Sequence, residues 1–353
     1  MMKTIAIIAG GDSSECEVSL KSANGIFSFI ENADYQKFIV TIIGKNWNVI
    51  LPDGTQIPID KNDFSFVLDS EKIIFDFAYI TIHGTPGENG ILQGYFELLQ
   101  IPYSGCGVLA SSLTFDKYFC NNFLKNFDIN VAEAVLVKAN NNTCHCGLDP
   151  QSCYIQAIPA FAGMTDENFI NNHNIIEKLG LPVFVKPTDG GSSFGITKVK
   201  TAEQLQSAID KAFDEGGNAM IESFIEGKEF TCGMYKTREK VVILPVFEIE
   251  SDNEFFDYEA KYNGKSREFP AKSISAEKQK EIQQLTEKIY DLLNAKGIIR
   301  VDYIVEKSGK IVLLEVNTTP GMTAQSFIPQ QVRAAGLNIS DVMTEIIENE
   351  LLN

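Results

Sequence analysis

The sequence has few histidines, an excess of acidic over basic residues and no long apolar run. Only 3 residues are histidine, which argues against a zinc site built from histidine ligands. Acidic residues outnumber basic ones by 47 to 30, and the resulting net charge of −17 repels nucleic acid and anionic membrane surfaces. No apolar run approaches the ~20 residues that a transmembrane helix needs. The negative net charge and the lack of a long apolar run argue against nucleic acid and membranes as partners.

The cysteines also indicate where the protein works. There are 7 of them, an odd number and mostly scattered, which favours a reduced cytoplasmic protein over a disulfide scaffold. The apolar start of the chain stops at Gly10 and acidic residues follow. It is too short for the apolar core of a secretory signal, so we interpret it as a first strand.

Alternating strand and helix patterns predict an α/β fold. The pattern predicts a buried strand over residues 4–9. A Gly-rich loop follows, and the pattern then predicts an amphipathic helix over 18–30. This order is typical of the start of a doubly wound unit. The loop, Gly10-Gly11-Asp12, lacks the glycine spacing of a dinucleotide-binding loop, which argues against an oxidoreductase.

A chain of 353 residues is long enough for two or three domains. We predict a Rossmann-like parallel-sheet domain followed by two further subdomains, with boundaries at 1–104, 105–219 and 220–353. In the second and third parts, apolar patterns predict single helices over 111–125 and 277–296 and a single strand over 241–249.

A hairpin near the end of the chain groups three oxygen-bearing side chains. Apolar runs on either side of residues 307–310 predict two strands joined by a tight turn. Because side chains alternate faces along a strand, Glu315 and Asn317 point the same way, and pairing brings Asp302 close to them. Such oxygens suit Mg²⁺ held together with phosphates, which indicates ATP chemistry. Taken alone, the pattern also fits ordinary carboxylates at a solvated strand end.

A second Gly-rich segment, residues 190–195, lies between two predicted strands. Its glycines let backbone N–H groups approach phosphate oxygens, and Ser192 and Ser193 add donors, so the segment predicts a flap over a nucleotide. A plain hairpin turn is the alternative. Lys186 ends the apolar strand just before the loop, where its ammonium group can reach a phosphate.

Other polar residues are ambiguous when taken singly. Taken alone, Lys117 is interpreted as a surface lysine, and Glu229 is interpreted as a solvated strand residue. His83 follows a strand at its C-terminal end, where open α/β sheets bind ligands, although a loop histidine bonded to backbone fits equally. Residues 257–264 are charged and aromatic, and they form either a mobile lid or a connector.

Together these motifs resemble the D-alanine–D-alanine ligases of the ATP-grasp superfamily. The resemblance covers nearly the whole chain, and the joint order of the motifs is far more specific than any one of them. The matching segments are 10–20, 83–90, 185–187, 192–193, 258–262, 300–302 and 315–323.

The resemblance implies a fold and an activity. The fold would be a Rossmann-like N-terminal domain followed by two ATP-grasp subdomains. The activity would be ATP-dependent ligation of two D-alanine molecules through an acyl phosphate, with release of ADP and phosphate, for peptidoglycan synthesis. The resemblance also implies two Mg²⁺ ions, with Mn²⁺ as a substitute, and a cytoplasmic homodimer whose partners are D-alanine and ATP.

The resemblance further implies roles in nucleotide and metal binding. Lys117 and Lys186 would bind the phosphates of ATP under the flap of Ser192 and Ser193. Glu222 and Ile225 would hold the adenine, and Glu229 the ribose. The implied metal ligands are Asp302, Glu315 and Asn317.

The implied substrate site involves seven side chains and one backbone N–H group. Glu15 would bind the ammonium group of the first D-alanine near His83, and Ser192 and Tyr262 would link to Glu15. Lys261 would approach the transferred phosphate. The oxyanion hole would consist of Arg300 and the Gly321 N–H group, and Ser326 would bind the carboxylate of the second D-alanine. Tyr262 is associated with an amine as second substrate, since relatives that use D-lactate carry Phe there.

One segment departs from this family, an insertion at about 140–174. It contains Cys144, His145, Cys146 and Cys153, but their spacing is not that of a structural zinc site, so we interpret the segment as a surface insertion. Two alternatives to the main hypothesis remain open: a related carboxylate–amine ligase with another second substrate, and a nucleotide-binding homologue inactivated by the insertion.

Overall fold

Three β-sheets of five or six strands organise the described part of the chain. A computed structural model describes residues 2–138, 156–158, 172–191, 194–251 and 266–352. The insertion at 140–174 therefore lies almost wholly outside the described residues, as do Cys144, His145, Cys146 and Cys153.

The first sheet carries the N-terminal part of the chain. Strand β1 (Lys3–Gly10) is parallel to its neighbours β2 (Tyr35–Ile43) and β7 (Phe77–Ile80). Antiparallel strands β3 (Asn46–Ile50) and β4 (Gln56–Pro58) extend the sheet, and β5 (Ser65–Leu68) and β6 (Glu71–Ile74) form a separate hairpin. The parallel centre confirms the predicted α/β start, whereas β3 to β6 were not predicted.

The second sheet is antiparallel. Its order is β11 (Thr197–Val199), β10 (Val183–Pro187), β12 (Asn218–Ser223), β8 (Ala134–Lys138) and β9 (Gln156–Ile158). Strands β10 and β11 flank the Gly-rich segment, which therefore joins two strands as predicted.

The third sheet is also antiparallel and contains the predicted metal hairpin. Its order is β16 (Ser266–Pro270), β15 (Phe247–Ser251), β13 (Gly227–Lys236), β17 (Ile298–Glu306) and β18 (Ile311–Asn317), with β14 (Val241–Ile243) paired to β13. The second and third sheets face each other across a cleft that is described below.

Helices cover the sheets. They are α1 (Cys16–Phe29), α2 (Ile91–Leu99), α3 (Val108–Phe115), α4 (Lys117–Lys125), α5 (Asn172–Leu179), α6 (Leu205–Glu215), α7 (Ala276–Leu292), α8 (Phe327–Ala334) and α9 (Ile339–Leu351). A 3₁₀ turn, Ala202–Gln204, precedes α6. Within the described ranges, no helix is both long enough and apolar enough to cross a membrane.

The prediction of a single helix over 111–125 is wrong, because the helix is interrupted at Asp116. That residue has extended backbone angles, φ −90° and ψ 105°, and separates α3 from α4. Its carboxylate accepts a hydrogen bond from the Phe119 N–H group at 3.0 Å, which caps the new helix. As a result, Lys117 is the first residue of α4.

Two other predicted elements have different bounds. The predicted strand 241–249 is split into β14 and β15 around Pro245, which lacks the N–H group that a continuous strand would donate. The predicted helix 277–296 ends at Leu292 as α7. Asn294 and Gly297, both with positive φ, turn the chain there toward β17.

The last helix packs on the first sheet. Val342, Ile346 and Ile347 of α9 share an apolar core with Ile5 and Ile7 of β1. Lys3 adds an ion pair with Glu348 at 3.0 Å between the nitrogen and oxygen atoms. This core joins the two ends of the chain and braces the first sheet against the third.

Candidate active site

The β17–β18 hairpin brings its three predicted metal ligands together. Asp302 lies directly opposite Glu315, and the Asn317 Nδ2 atom is 3.2 Å from Asp302 Oδ2 and 3.5 Å from Glu315 Oε1. No group of three or more His, Cys, Asp or Glu side chains in the described part of the chain is placed to hold a metal. A cation at this hairpin would therefore depend on the Asn317 amide as the third donor. The Asn317 amide nitrogen faces the two carboxylates, so a cation would need the amide to turn its oxygen toward them. Two carboxylates and an amide oxygen are hard ligands that fit Mg²⁺.

Arg300 borders this cluster through a two-pronged contact with Asp302. Its Nε lies 3.0 Å from Asp302 Oδ1 and its NH2 group 2.8 Å from Oδ2, and the same NH2 group is 4.0 Å from Glu315 Oε1. Burial acts to lower the pKa of Arg300, but the hydrogen bond to Asp302 and the negative charges of Asp302, Glu315 and Glu268 together outweigh it, and the pKa is raised. The guanidinium group therefore stays charged and held in one orientation.

The predicted nucleotide residues line a cleft of about 1100 Å³ between the second and third sheets. The cleft has a charged part and an apolar part that includes Phe184 and Ile249. All the predicted nucleotide-binding residues that the structure describes line it: Lys117, Lys186, Glu222, Ile225 and Glu229. A mixed lining of this kind suits a molecule with an aromatic base at one end and phosphates at the other.

Two lysines of this cleft have acidic partners. The Lys186 Nζ atom lies 2.6 Å from Glu222 Oε1, and both side chains are more than nine-tenths buried. Lys117 donates to the Gly190 carbonyl at 2.6 Å, and its Nζ is 3.9 Å from Glu315 Oε2. Lys186, which was predicted to bind the phosphates, thus forms an ion pair with Glu222, which was predicted to bind the adenine.

The Gly-rich segment crosses directly above Glu15. A Cβ atom on Gly191 would lie 2.3 Å from Glu15 Oε2, so a larger residue at this position would displace the Glu15 carboxylate. Gly190, whose φ angle is +98°, forms a turn immediately before Gly191. Ser192 and Ser193 lie outside the described residues, so their predicted links to phosphate and Glu15 stay predictions.

A second cavity of about 1950 Å³ adjoins the nucleotide cleft. It contains every described residue that we predicted for the substrates: Glu15, His83, Arg300, Gly321 and Ser326. Lys117, Glu315, Gly190 and Gly191 line both cavities. The two cavities therefore meet at Glu315, one of the predicted metal ligands, and at the Gly-rich segment.

His83 is buried at the floor of the substrate cavity. Its Nε2 atom lies 3.5 Å from Ser22 Oγ, and that hydroxyl accepts a hydrogen bond from the Met322 N–H group at 3.4 Å. Burial and the positive charge of Arg300 lower the pKa of His83, while Glu15 opposes them. The lowered pKa favours a neutral imidazole beside Glu15.

The loop around Gly321 is held from two sides. A Cβ on Gly25 of α1 would lie 2.4 Å from the Met322 carbonyl oxygen, so α1 contacts this loop directly. On the other side, Ser326 accepts a hydrogen bond from the Thr323 N–H group at 3.0 Å. The Gly321 backbone, predicted as an oxyanion donor, is thereby positioned at the cavity wall.

Glu88 belongs to the 83–90 motif, but no role was predicted for it from the sequence. Its carboxyl lines the substrate cavity and accepts a hydrogen bond from the Gly84 N–H group at 2.7 Å. Burial, helped by the negative charge of Glu15, raises the pKa of Glu88 to about 8. Lys21 and Glu268 also line the cavity and were missed, because isolated charged residues give no motif.

Replacing Glu88 by Gln should flatten the pH dependence of stability. The wild-type carboxyl binds more protons when folded between its ordinary pKa of 4.5 and about 8, so stability falls as the pH rises through that window. The Gln amide keeps the acceptor for Gly84 and carries no charge. Thermal unfolding of ligand-free protein should show little difference at about pH 5 and a more stable variant at about pH 8.5.

The control for this experiment is Glu71→Gln on the exposed β5–β6 hairpin, which should follow the wild-type curve at both pH values. Parallel curves for wild type and Glu88→Gln across the whole range would contradict the raised pKa.

Besides Ser192, two predicted residues of the substrate site, Lys261 and Tyr262, lie outside the described residues. Their roles stay predictions, as does the lid that the surrounding segment was expected to form.

Two family models match the chain. The model described as "D-ala D-ala ligase N-terminus" matches residues 4–106, and the one described as "D-ala D-ala ligase C-terminus" matches residues 155–348. The second alone spans more than half of the chain.

Individual proteins agree with the family models. A D-alanine–D-alanine ligase of Bacteroides fragilis is 54% identical over 350 residues, which cover 99% of this chain and 100% of that protein. The structure of D-alanyl-alanine synthetase A from Vibrio cholerae superposes with a TM-score of 0.83 at 29% identity and covers 100% of both chains. The VanG D-Ala:D-Ser ligase from Enterococcus faecalis gives a TM-score of 0.81 at 31% identity and covers 99% of this chain and 100% of that one. These matches confirm the resemblance and the ATP-grasp fold class, and the chain belongs to the D-alanine–D-alanine ligase family.

Proposed function

We propose that this chain ligates two D-alanine molecules into D-alanyl-D-alanine, with conversion of ATP to ADP and phosphate, for peptidoglycan synthesis. The observation that carries the proposal is the junction of the two cavities at Lys117, Glu315 and the Gly-rich segment. A nucleotide in one cavity and an amino acid in the other would meet at that junction. Relatives similar over their full length carry the name of this activity.

Asp302, Glu315 and Asn317 would hold the metal, as two Mg²⁺ ions or, in their place, Mn²⁺. The family uses ATP and Mg²⁺, and bound Mg²⁺ neutralises charge on the phosphates during transfer. Lys117 and Lys186 line the same cleft and would add positive charge at the phosphates. Glu222, Ile225 and Glu229 would hold the adenine and ribose.

In the first step, the carboxylate of the first D-alanine attacks the γ-phosphate of ATP. The products are an acyl phosphate and ADP. Glu15 would bind the ammonium group of this D-alanine beside the neutral His83, which places the carboxylate toward the junction of the cavities. Lys261 would approach the transferred phosphate. These residues supply orientation and charge balance, which dominate phosphoryl transfer.

In the second step, the amine of the second D-alanine attacks the acyl carbon and phosphate leaves. Arg300 and the Gly321 N–H group would stabilise the oxyanion of the tetrahedral intermediate. Ser326 would bind the carboxylate of the second D-alanine. Because water would hydrolyse the acyl phosphate, we assign Ser192, Ser193 and Tyr262 to the closing of the site over the bound substrates.

Turnover of purified full-length protein tests the proposal. With ATP and Mg²⁺, ADP release should depend on D-alanine, and mass spectrometry should detect D-alanyl-D-alanine. D-Serine and D-lactate offered with D-alanine test the second substrate, since one similar structure is a D-Ala:D-Ser ligase. A mixed dipeptide made in preference to D-alanyl-D-alanine would favour that alternative. ATP binding without any product would favour a homologue inactivated by the insertion.

We also propose that the three parts predicted from the sequence, 1–104, 105–219 and 220–353, are the domains of the enzyme. The first sheet falls in the first part and the third sheet in the last. We place the enzyme in the cytoplasm, where ATP is abundant. The described cysteines Cys16, Cys106, Cys120 and Cys232 are free thiols, which fits a reducing compartment.

The predicted homodimer would use the outer face of α2 and α3. Ile91, Leu98 and Leu109 are 60%, 86% and 81% exposed there. Helix α3 has no charged residue and α2 has only Glu97, which accepts a hydrogen bond from the Tyr103 hydroxyl. Two copies of this chain repel each other because the chain has a negative net charge. The repulsion is weakest in a symmetric interface formed by such an apolar, nearly uncharged face of each copy.

Replacing both Leu98 and Leu109 by Glu should therefore give a monomer. Light scattering after size exclusion should report about half the wild-type mass, because four carboxylates would face one another in a twofold interface. Val67→Glu, 57% exposed in wild type on another surface, is the control and should leave the mass unchanged. A wild-type protein that already runs as a monomer would contradict the homodimer.

A further inference from the structure

Ser22 of α1 has no role in the reaction described above, although it lies between His83 and the loop that carries Gly321. Its hydroxyl oxygen accepts a hydrogen bond from the Met322 N–H group at 3.4 Å and lies 3.5 Å from His83 Nε2. The residue is 1% exposed. Ser22 therefore forms a buried polar link between helix α1, His83 and the residue that follows the predicted oxyanion donor.

The contacts of Ser22 differ from those that a serine usually makes inside a helix. Such a hydroxyl commonly donates to the carbonyl four residues before it. Ser112 and Thr114 of α3 do so, both at 2.8 Å. Within the described part of the chain, the Ser22 hydroxyl makes no such bond and contacts the loop and His83 instead. Its interactions are therefore directed out of its own helix, toward the active site.

The loop that carries Gly321 is fixed on both sides of this residue. Burial lowers the pKa of His83, and a hydrogen bond between its ring and the Thr319 backbone opposes that shift. Pro320 comes next, and its ring restricts the backbone angle φ. Beyond Gly321, the Met322 N–H group is held by α1. Because glycine has no side chain to restrict its own backbone angles, the direction of its N–H group depends on these anchored neighbours.

Helix α1 contacts Met322 at a second point. A Cβ atom on Gly25 would lie 2.4 Å from the Met322 carbonyl oxygen and 3.5 Å from the Cα atom of Thr323. Gly25 follows Ser22 by three residues, so the two lie on one face of the helix. The helix thus holds the Met322 N–H group by a hydrogen bond and meets the Met322 carbonyl group by close packing.

Packing on another side of the loop is incomplete. A cavity of about 340 Å³ adjoins it, lined by residues of the loop and of the apolar core, among them Thr318, Pro320, Met322, Ile26 and Tyr79. Atoms that line a cavity lack packing partners on that side. The position of the loop consequently depends more strongly on the hydrogen bond from Met322 to Ser22.

We propose that Ser22 is a positioning residue for the second step of the reaction, in which it holds Met322 and so directs the Gly321 N–H group toward the tetrahedral intermediate. Ser22 is not among the described residues that line the substrate cavity, so it acts through the loop. An oxyanion donor is most effective when it is already aimed at the place where the charge develops. This inference rests on the proposed ligase function.

The test replaces Ser22 by Ala, which removes one buried oxygen atom and favours the helix. The kcat for dipeptide formation should fall about tenfold, the size of effect expected when a buried N–H group loses its hydrogen bond. The KM for the first D-alanine should change less than about twofold. Rapid-quench analysis of one turnover should show ADP formed at the wild-type rate and dipeptide formed slowly, because only the second step uses the Gly321 N–H group.

The matched control is Ser111→Ala on α3. Ser111 is also 1% exposed, and its hydroxyl donates to the Cys106 carbonyl at 3.1 Å. Its replacement should lower thermal stability and leave the rates of both steps at the wild-type value. A purely structural Ser22 would give this same result, which would overturn the inference.

Gly25→Ala is a second variant that leaves the Ser22 hydroxyl in place. The added Cβ atom would displace the Met322 carbonyl, so this variant should also form ADP at the wild-type rate and dipeptide slowly. If Ser22→Ala slowed ADP and dipeptide formation together, the effect would lie in the first step, near His83, and the inference would fail. Wild-type protein that makes no dipeptide would overturn the proposed function and the inference together. Active wild-type protein with an unchanged Ser22→Ala variant would overturn the inference alone.

Discussion

Replacing Glu315 by Gln is expected to reduce D-alanine-dependent ADP release by about a thousandfold while the protein stays folded. Glu315 lines both cavities, lies opposite Asp302, and sits 3.9 Å from Lys117 and 4.0 Å from Arg300. The replacement keeps the size of the side chain but removes one of the two carboxylates at the hairpin. The remaining donors, Asp302 and Asn317, would bind Mg²⁺ more weakly, and Lys117 and Arg300 would each lose one nearby negative charge.

The control for this variant is Glu306→Gln on the same hairpin. Glu306 ends β17 and accepts a hydrogen bond from the Ser308 hydroxyl at 2.9 Å, away from both cavities. It should keep wild-type turnover. Calorimetric titration with ATP and Mg²⁺ adds a readout that does not depend on turnover, and Glu315→Gln should weaken metal-dependent binding. Turnover of Glu315→Gln within about threefold of wild type would exclude Glu315 as a metal ligand.

The β17–β18 hairpin and its grouping of Asp302, Glu315 and Asn317 could be predicted because most of its geometry is local. Alternation along β18 places Glu315 and Asn317 on one face, and the turn at 307–310 brings the two strands together. The turn alone would pair Asp302 with Leu314, and a register shift between Asp302 and Tyr303, which the sequence does not show, places Asp302 opposite Glu315. The nucleotide cleft was harder to predict. Lys186 and Glu222 lie diagonally across β10 and β12, and their contact depends on a register between strands about 35 residues apart.

Features set by tertiary packing could not be read from the sequence. The apolar run at 111–125 continues through Asp116, and only the three-dimensional structure shows that its carboxylate caps a second helix. Likewise, Gly25 looks unfavourable in the middle of α1 until its contact with the Met322 carbonyl is seen. Glu88 and Glu268 are isolated acids in the sequence, and it is the shape of the cavity that gathers them with Arg300.

Replacing Arg300 by Lys is expected to reduce kcat about a hundredfold, because one donor to a developing oxyanion is typically worth that much or more. Lysine keeps the positive charge but cannot reproduce the two-pronged contact with Asp302, made at 3.0 Å and 2.8 Å. The variant therefore separates the orientation of the donor from its charge. Arg267→Lys on the exposed edge strand is the control and should leave kcat unchanged.

The two-step reaction predicts which kinetic and binding constants the Arg300→Lys substitution should change. If Arg300 acts on the tetrahedral intermediate, Arg300→Lys should lower kcat for dipeptide formation while the Kd of ATP, measured by calorimetry, changes less than about twofold. Because Arg300 also orients Asp302, weaker metal binding would produce a loss that excess Mg²⁺ reverses. A rate that stays low at saturating Mg²⁺ would place the defect in the second step. Full recovery with Mg²⁺ would instead make Arg300 a support for the metal cluster and leave the Gly321 N–H group as the oxyanion donor.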